Sequence, residues 1–225
     1  MRKDLTELVF ILDRSGSMAG LEADTIGGFN SFIEKQKRED GEALISVVLF
    51  DNESEVIYDR AVLSRIPQMT REQYYVRGCT ALLDAIGGAI HHIANVHKYA
   101  REEDRPGKTL FIITTDGMEN ASRLYTYEKV QQMIKKEKEK YGWEFLFLGA
   151  NMDAVSVANN FGIGADRAVT YECDTEGTLL NYQELSRSVS AMRKSSADTA
   201  SEAFECAADD WAENIRADFS RRHRK

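Results

Sequence analysis

The 225-residue sequence predicts an α/β protein with a doubly wound, mostly parallel six-stranded sheet, one antiparallel edge strand and helices on both faces. Three observations support this fold class. Short continuous apolar runs recur along the chain, as in strands that are covered on both faces. Segments with helical apolar spacing alternate with these runs. One pair of runs is joined by only a few turn residues, which indicates a hairpin and therefore one antiparallel strand.

The apolar runs mark the strands in chain order. They span residues 8–12, 43–50, 110–113 and 144–148, and a short sixth strand is expected at 167–171. The polar residues after Phe50 lead at once into Val56-Ile57-Tyr58, which is the predicted hairpin partner. These segments account for all six strands of the predicted sheet.

Helical spacing predicts the elements between the strands. Apolar side chains repeat at steps of three and four within residues 26–33, 82–93, 127–134 and 179–192, and a further helix is expected at 154–160. The pairs Gly27-Gly28 and Gly87-Gly88 fall inside two of these helices. We expect them to permit close helix packing, because the chain has no glycine-rich loop of the kind that cradles phosphate.

The end of the chain differs in composition from the rest. We divide the sequence into a domain of residues 1–195 and a C-terminal helical extension of residues 196–225 with a basic end. An apolar stripe along a predicted helix in this extension comprises Phe204, Ala208, Trp211, Ile215 and Phe219. This helix either docks on its own domain, which we favour, or lies in the groove of a partner.

Composition and charge exclude several function classes. A net charge of -8 argues against binding to nucleic acid or to an anionic membrane, because both require a positive surface. The three cysteines are widely spaced, which fits neither a disulfide framework nor a thiolate zinc site. The sequence shows no signal-peptide pattern and no apolar run near the roughly 20 residues of a membrane span. We therefore expect a soluble, cytoplasmic protein.

Five oxygen-bearing side chains stand at the predicted ends of strands or in a loop between them. Asp13, Ser15 and Ser17 follow the first strand, Asp116 follows the strand at 110–113, and Thr80 precedes a helix. Loops at the carboxyl ends of parallel strands converge, so we expect these side chains to meet. Two carboxylates and three hydroxyls, without histidine or thiolate, favour a divalent cation: Mg²⁺ first, with Mn²⁺ or Ca²⁺ as alternatives.

This pattern resembles the von Willebrand factor type A domain and its metal-ion-dependent adhesion site. The matching residues are Asp13-x-Ser15-x-Ser17, Thr80 and Thr115-Asp116-Gly117. The resemblance extends over roughly residues 5–175 and is to free-standing intracellular members found in bacteria. It implies a Rossmann-like sheet in which the three hydroxyls bind the ion directly and the two carboxylates bind it directly or through water. It also implies a protein-binding module, in which a partner supplies an Asp or Glu to the ion.

The main enzymatic alternative is a magnesium-dependent phosphatase of the haloacid dehalogenase type, with Asp13 attacking phosphate. That mechanism uses a second aspartate two residues further on as acid and base, and Ser15 stands at this position. A serine cannot transfer the proton at neutral pH. We therefore predict a binding protein and not an enzyme.

The neighbours of the five residues carry less specific expectations. Arg14 is expected to face solvent. Cys79 either packs inward, as free cysteines usually do, or faces the crevice close to the ion, where it could add soft-metal affinity or redox sensitivity. Glu119 and Asn120 either line the rim of the site or cap local structure. Asn151 and Asp153, at the end of the next strand, have the same two possible roles, and Asp153 is readily interpreted as the start of a helix.

Overall fold

The computed structural model of the protein describes residues 1–206 and 210–223. Its strands are β1 (Arg2–Asp13), β2 (Glu42–Phe50), β3 (Ser54–Val62), β4 (Pro106–Thr115), β5 (Glu144–Ala150) and β6 (Ala168–Tyr171). Its helices are α1 (Glu22–Gln36), α2 (Leu82–Tyr99), α3 (Tyr127–Tyr141), α4 (Ala154–Asn160), α5 (Thr175–Lys194), α6 (Ala200–Cys206) and α7 (Glu213–Arg222). Every strand expected from the apolar runs is present.

The six strands form one sheet in the order β3-β2-β1-β4-β5-β6. All neighbouring pairs are parallel except β2 and β3, which form an antiparallel hairpin at one edge. The predicted fold class is therefore confirmed. In the central strands Leu12 lies opposite Leu49 of β2 and Thr114 of β4, so β1, β2 and β4 end at the same level. The loops that follow them are consequently neighbours.

Alternating side chains of β1 build a separate core on each face of the sheet. Phe10 is fully buried on the face covered by α1 and α5, and its ring contacts the rings of Phe29 and Phe32 at centroid distances of 5.4 and 5.0 Å. Val9 and Ile11 are fully buried on the opposite face, with α2, α3 and α4. Burial on both faces explains why the strands read as continuous apolar runs.

Polar groups end or begin several helices. The side chain of Asp153 accepts a hydrogen bond from Ser156 N at 3.1 Å, which confirms that this residue starts α4. Gly142, in the left-handed conformation with φ 61°, ends α3. Buried Lys108 of β4 donates from Nζ to Met192 O at 2.9 Å, in the last turn of α5. Within the described residues, no helix has the length and apolar character that a membrane crossing requires.

The prediction of a single C-terminal helix, made from the apolar stripe, is wrong. Two short helices, α6 and α7, take its place, and Asp210 lies between them. The Asp210 side chain accepts a hydrogen bond from Ala212 N at 3.0 Å, a local contact that competes with helical hydrogen bonding. The stripe residues Phe204, Trp211 and Ile215 are buried in the core on the α5 face, whereas Ala208 lies outside the described residues, as does the end of the basic tail.

The prediction that the glycine pairs in α1 and α2 permit close helix packing is confirmed for Gly28 alone. A Cβ atom on Gly28 would lie 2.1 Å from the ring of Tyr182 in α5, and one on Gly87 would lie 2.3 Å from the ring of Tyr125. Gly27 and Gly88 have no neighbour within 4 Å of such an atom. Gly28 therefore permits the close approach of α1 and α5, whereas Gly87 makes room for Tyr125, which lies in the loop before α3.

We predict that Gly28→Ala destabilises the protein by about 1–3 kcal/mol, because the added methyl group overlaps the Tyr182 ring. Gly27→Ala, one residue away and unobstructed, is the matched control and should stabilise by about 0.5–1 kcal/mol through helix propensity. Urea unfolding followed by circular dichroism measures both. Equal stability of the two variants would contradict the packing described for Gly28.

Candidate metal centre

The structure brings the five predicted side chains together at the carboxyl ends of β1 and β4. Ser17 Oγ donates a hydrogen bond to Asp116 Oδ1 at 2.5 Å, and Ser15 Oγ lies 3.0 Å from Ser17 Oγ. Thr80 joins them around Gly117: a Cβ atom at that glycine would lie 2.6 Å from Thr80 Oγ1, 3.1 Å from Ser17 Oγ and 3.5 Å from Ser15 Oγ. Three hydroxyl oxygens therefore surround one small space that the absence of a side chain at position 117 leaves open.

Asp13 supports this arrangement through two hydrogen bonds. It is 1% exposed, and its Oδ1 accepts a hydrogen bond from Ser15 N at 2.7 Å. Its Oδ2 accepts one from Thr115 Oγ1 at 2.6 Å. Asp13 thus links the β1 loop to the end of β4 and orients Ser15. Thr115 belongs to the sequence motif but not to the predicted ligand set. Its hydroxyl positions the Asp13 carboxylate.

The loop that follows Asp116 fixes Thr80 and the start of α2. Thr80 N donates to Asn120 Oδ1 at 3.0 Å, and Asn120 N donates back to Thr80 O at 3.0 Å. Glu119 Oε2 accepts a hydrogen bond from Leu83 N at 2.8 Å, in the first turn of α2. Of the two roles considered for Glu119 and Asn120, the structure shows local hydrogen bonding that holds the Thr80 loop and caps the helix.

Burial raises the pKa of both carboxyl groups at the centre. For Asp13, hydrogen bonds from Thr115 and Ser15 oppose the effect of burial, and the charge of Asp116 adds to it. Asp116 is 6% exposed, and the hydrogen bond from Ser17 opposes the increase in its pKa that burial causes. Among residues 1–206 and 210–223, no lysine, arginine or histidine forms an ion pair with either carboxylate. The two carboxylates therefore have no basic partner among these residues, which favours binding of a cation.

The donor set fits a hard divalent cation. No three His, Cys, Asp or Glu side chains in the described part of the chain are grouped so that they could hold a metal. A metal at this centre would thus depend on the hydroxyls of Ser15, Ser17 and Thr80 in addition to the two carboxylates. Oxygen donors of this kind suit Mg²⁺, Mn²⁺ or Ca²⁺.

The prediction that Arg14 faces solvent is wrong. Its side chain is fully buried: Nε donates to Asp51 Oδ2 at 2.8 Å, and Nη1 donates to Glu55 Oε2 at 2.7 Å. Both acceptors belong to the β2–β3 hairpin, which lies beside the β1 loop. Arg14 is buried because these two carboxylates neutralise its charge.

Inward packing of Cys79, one of its two predicted placements, is also wrong, and a different cysteine lies near Asp116. Cys79 is exposed and does not pack inward. Cys173, which follows β6, places its Sγ 3.7 Å from Asp116 Oδ2. Burial, together with the negative charge of Asp116, raises the pKa of Cys173 to about 11. The signal in the sequence is its position just after a strand, at the same sheet edge as Asp116.

We predict that iodoacetamide modifies Cys79 much faster than Cys173 at pH 8 in the presence of a chelator. A thiol with a pKa of about 11 is roughly one part in a thousand thiolate at that pH, and only the thiolate reacts. Peptide mass spectrometry of quenched samples measures both rates. Asp116→Asn should accelerate modification of Cys173, because it removes a negative charge; equal rates at the two cysteines in the unaltered protein would contradict the pKa shift.

The fold of the chain is similar to that of several solved proteins. No family model and no curated protein matches the chain. Proximal thread matrix protein 1 from the mussel byssus, solved with a zinc-occupied MIDAS motif, is 14% identical over 82% of this chain and 46% of its own, with a TM-score of 0.54. The von Willebrand factor type A protein from Catenulispora acidiphila is 14% identical over 83% of this chain and 42% of its own, with a TM-score of 0.53.

A third structure matches along nearly its whole length. The vWF domain of the type V pili tip protein Mfa5 from Porphyromonas gingivalis is 11% identical over 85% of this chain and 97% of its own, with a TM-score of 0.59. The chain thus spans less than half of the first two proteins and almost all of the isolated domain. At these identities the likeness concerns the fold. The chain has the fold of a von Willebrand factor type A domain.

Proposed function

We propose that the chain is a metal-dependent protein-binding module. In this proposal Ser15, Ser17 and Thr80 bind a divalent cation directly, and Asp13 and Asp116 complete its surroundings directly or through water. The observation that carries the proposal is the convergence of three hydroxyl oxygens around the space beside Gly117. Next to it lie two buried carboxylates that have no ion pair within the described part of the chain. Asp13 and Asp116 would balance the charge of the cation, and the hydrogen bond from Ser15 N to Asp13 would orient Ser15.

The balance of charge supports the capture of a partner's carboxylate. Two carboxylates neutralise a divalent cation, and neutral hydroxyls add no further negative charge. The ion therefore stays electrophilic toward an additional anionic oxygen. We propose that an Asp or Glu side chain of a protein partner takes that position. Mg²⁺ is the proposed resident ion, because oxygen donors and water suit it best, although the mussel protein holds zinc in its motif.

The kind of partner follows from the same chemistry and from the overall charge. A net charge of -8 disfavours nucleic acid and anionic membrane, so the proposed partner is a protein.

Trp211 and Ile215 are 5% and 1% exposed, and Trp211 Nε1 donates to Asp166 O at 2.8 Å. These contacts support docking of the C-terminal helices on their own domain, which leaves the metal centre as the proposed partner site. Cytoplasmic location stays a prediction.

The phosphatase alternative has little support in the geometry. Its nucleophile would be Asp13, yet both oxygens of this carboxylate already accept hydrogen bonds and the residue is 1% exposed. An attacking carboxylate must approach phosphorus within a few ångströms along an open path. We therefore favour binding without turnover.

We predict that Thr80→Val abolishes binding of Mg²⁺ or Mn²⁺, because it removes one of three hydroxyl donors and keeps the side-chain shape. Thr70→Val, at an exposed position in the same connection between β3 and α2, is the matched control and should bind as the unaltered protein does. Titration calorimetry measures affinity, and circular dichroism verifies folding. Unchanged affinity in Thr80→Val would contradict the proposed ligand set.

We predict that partner recognition needs both the metal and an acidic side chain. On an array of peptides that each contain one Asp or Glu, the protein should bind a subset in Mg²⁺ and release it in EDTA. The same peptides carrying Asn or Gln should not bind, because a neutral amide is a much weaker ligand for the ion. Binding that survives both EDTA and the amide replacement would contradict carboxylate capture.

A further inference from the structure

The Thr80 hydroxyl lies in a segment that secondary structure does not hold. Residues 66–81, all of which the structure describes, contain neither helix nor strand. Ser15 and Asp116 instead follow closely on β1 and β4, and Ser17 lies in a short 3-10 helix, Gly16–Met18. The position of Thr80 relative to them therefore depends on tertiary contacts of its loop.

The turn between β2 and β3 supplies contacts on both sides of Thr80. Ala81 N donates to the backbone carbonyl of Asp51 at 2.8 Å. Cys79 N donates to the side-chain oxygen of Asn52. The residues before and after Thr80 are thus both anchored to the same turn, which holds Thr80 together with its two backbone hydrogen bonds to Asn120.

The carboxylate of Asp51 joins this turn to the other two loops. Its Oδ2 accepts hydrogen bonds from Arg14 Nε at 2.8 Å and from Arg77 Nε at 2.7 Å. Arg14 stands between Asp13 and Ser15, and Arg77 stands three residues before Thr80. Burial acts to raise the pKa of Asp51, but the hydrogen bonds from Arg77 and Arg14 outweigh it and hold the pKa below its usual value. One ionised carboxylate therefore links the loops that carry the hydroxyl donors.

Backbone bonds and an aromatic ring reinforce this link. Arg77 N donates to Arg14 O at 2.8 Å, directly beside the candidate metal residues. The ring of Tyr75 lies near both guanidinium groups, 5.4 Å from that of Arg14 and 5.5 Å from that of Arg77. Arg14 Nη2 is buried without a hydrogen-bond partner among the described residues. The guanidinium of Arg14 is therefore enclosed by two hairpin carboxylates and the Tyr75 ring, which holds the β1 loop against the hairpin.

We propose that Asp51 and Arg14 are positioning residues for the metal centre. Their buried ion pair sets the distance between the loop of Ser15 and Ser17 and the loop of Thr80. This inference rests on the proposed function, since it concerns the affinity of the proposed ion. It assigns the hairpin at the sheet edge a part in metal binding, although none of its side chains belongs to the proposed ligands.

The test is Mn²⁺ affinity of the full chain, measured by titration calorimetry in Asp51→Asn. We expect affinity to fall about 10-fold to 100-fold, the range seen when groups that orient metal ligands are lost. Arg77→Gln, at a partly exposed side chain, should fold without difficulty and weaken binding by a smaller factor. Asp104→Asn breaks an exposed ion pair with Arg101 and serves as the matched control with unchanged affinity.

Thermal melting in EDTA separates positioning from support of the fold. A variant Asp51→Asn that melts lower but binds Mn²⁺ as tightly as the unaltered protein at 25 °C would overturn the inference. So would unchanged affinity in Arg77→Gln if Asp51→Asn does not fold. The two proposals fail differently: an unaltered protein that binds no Mn²⁺ overturns both, whereas Mn²⁺ binding that needs Thr80 but not Asp51 overturns only this one.

Discussion

The burial of two carboxylates side by side at the end of a parallel sheet is the constraint on which the rest of the site depends. Residues in β1 and β4 pair in register up to Leu12 and Thr114, so Asp13 and Asp116 leave the sheet at nearly the same level. Burial disfavours the charged form of both. Hydrogen bonds from Ser17 and Thr115 compensate in part. A bound cation would supply the remaining counter-charge.

The topology of the sheet determines which loops surround that pair. Asp13 lies opposite Phe50, so β2 ends level with β1, and the turn into the antiparallel edge strand lies next to the β1 loop. This turn is the anchor for the Thr80 segment, which has no secondary structure of its own. The edge hairpin and the central strands therefore act together: the strands position the carboxylates, and the hairpin positions the loop that carries the third hydroxyl.

The fold and the convergence of the five oxygen-bearing side chains could be predicted because their signals are local. Apolar runs mark strands wherever both faces are covered, and ligands follow strand ends. The burial of Arg14 could not be predicted in this way, because its acceptors Asp51 and Glu55 lie 37 and 41 residues further along the chain. Cys173 was missed for a similar reason, since only the packing of β6 brings it near Asp116. Before α7 the Asp210 side chain accepts a hydrogen bond from Ala212 N, a local contact that the apolar stripe does not reveal.

The most direct test of a metal centre formed by three loops is a crystal structure of the full chain grown with Mn²⁺, using anomalous scattering to locate the ion. The account predicts one strong anomalous peak beside Gly117, about 2.0–2.6 Å from the hydroxyl oxygens of Ser15, Ser17 and Thr80. At least one coordination position should be taken by water on the solvent side. A peak bound elsewhere, or no peak at this place in saturating Mn²⁺, would contradict the account.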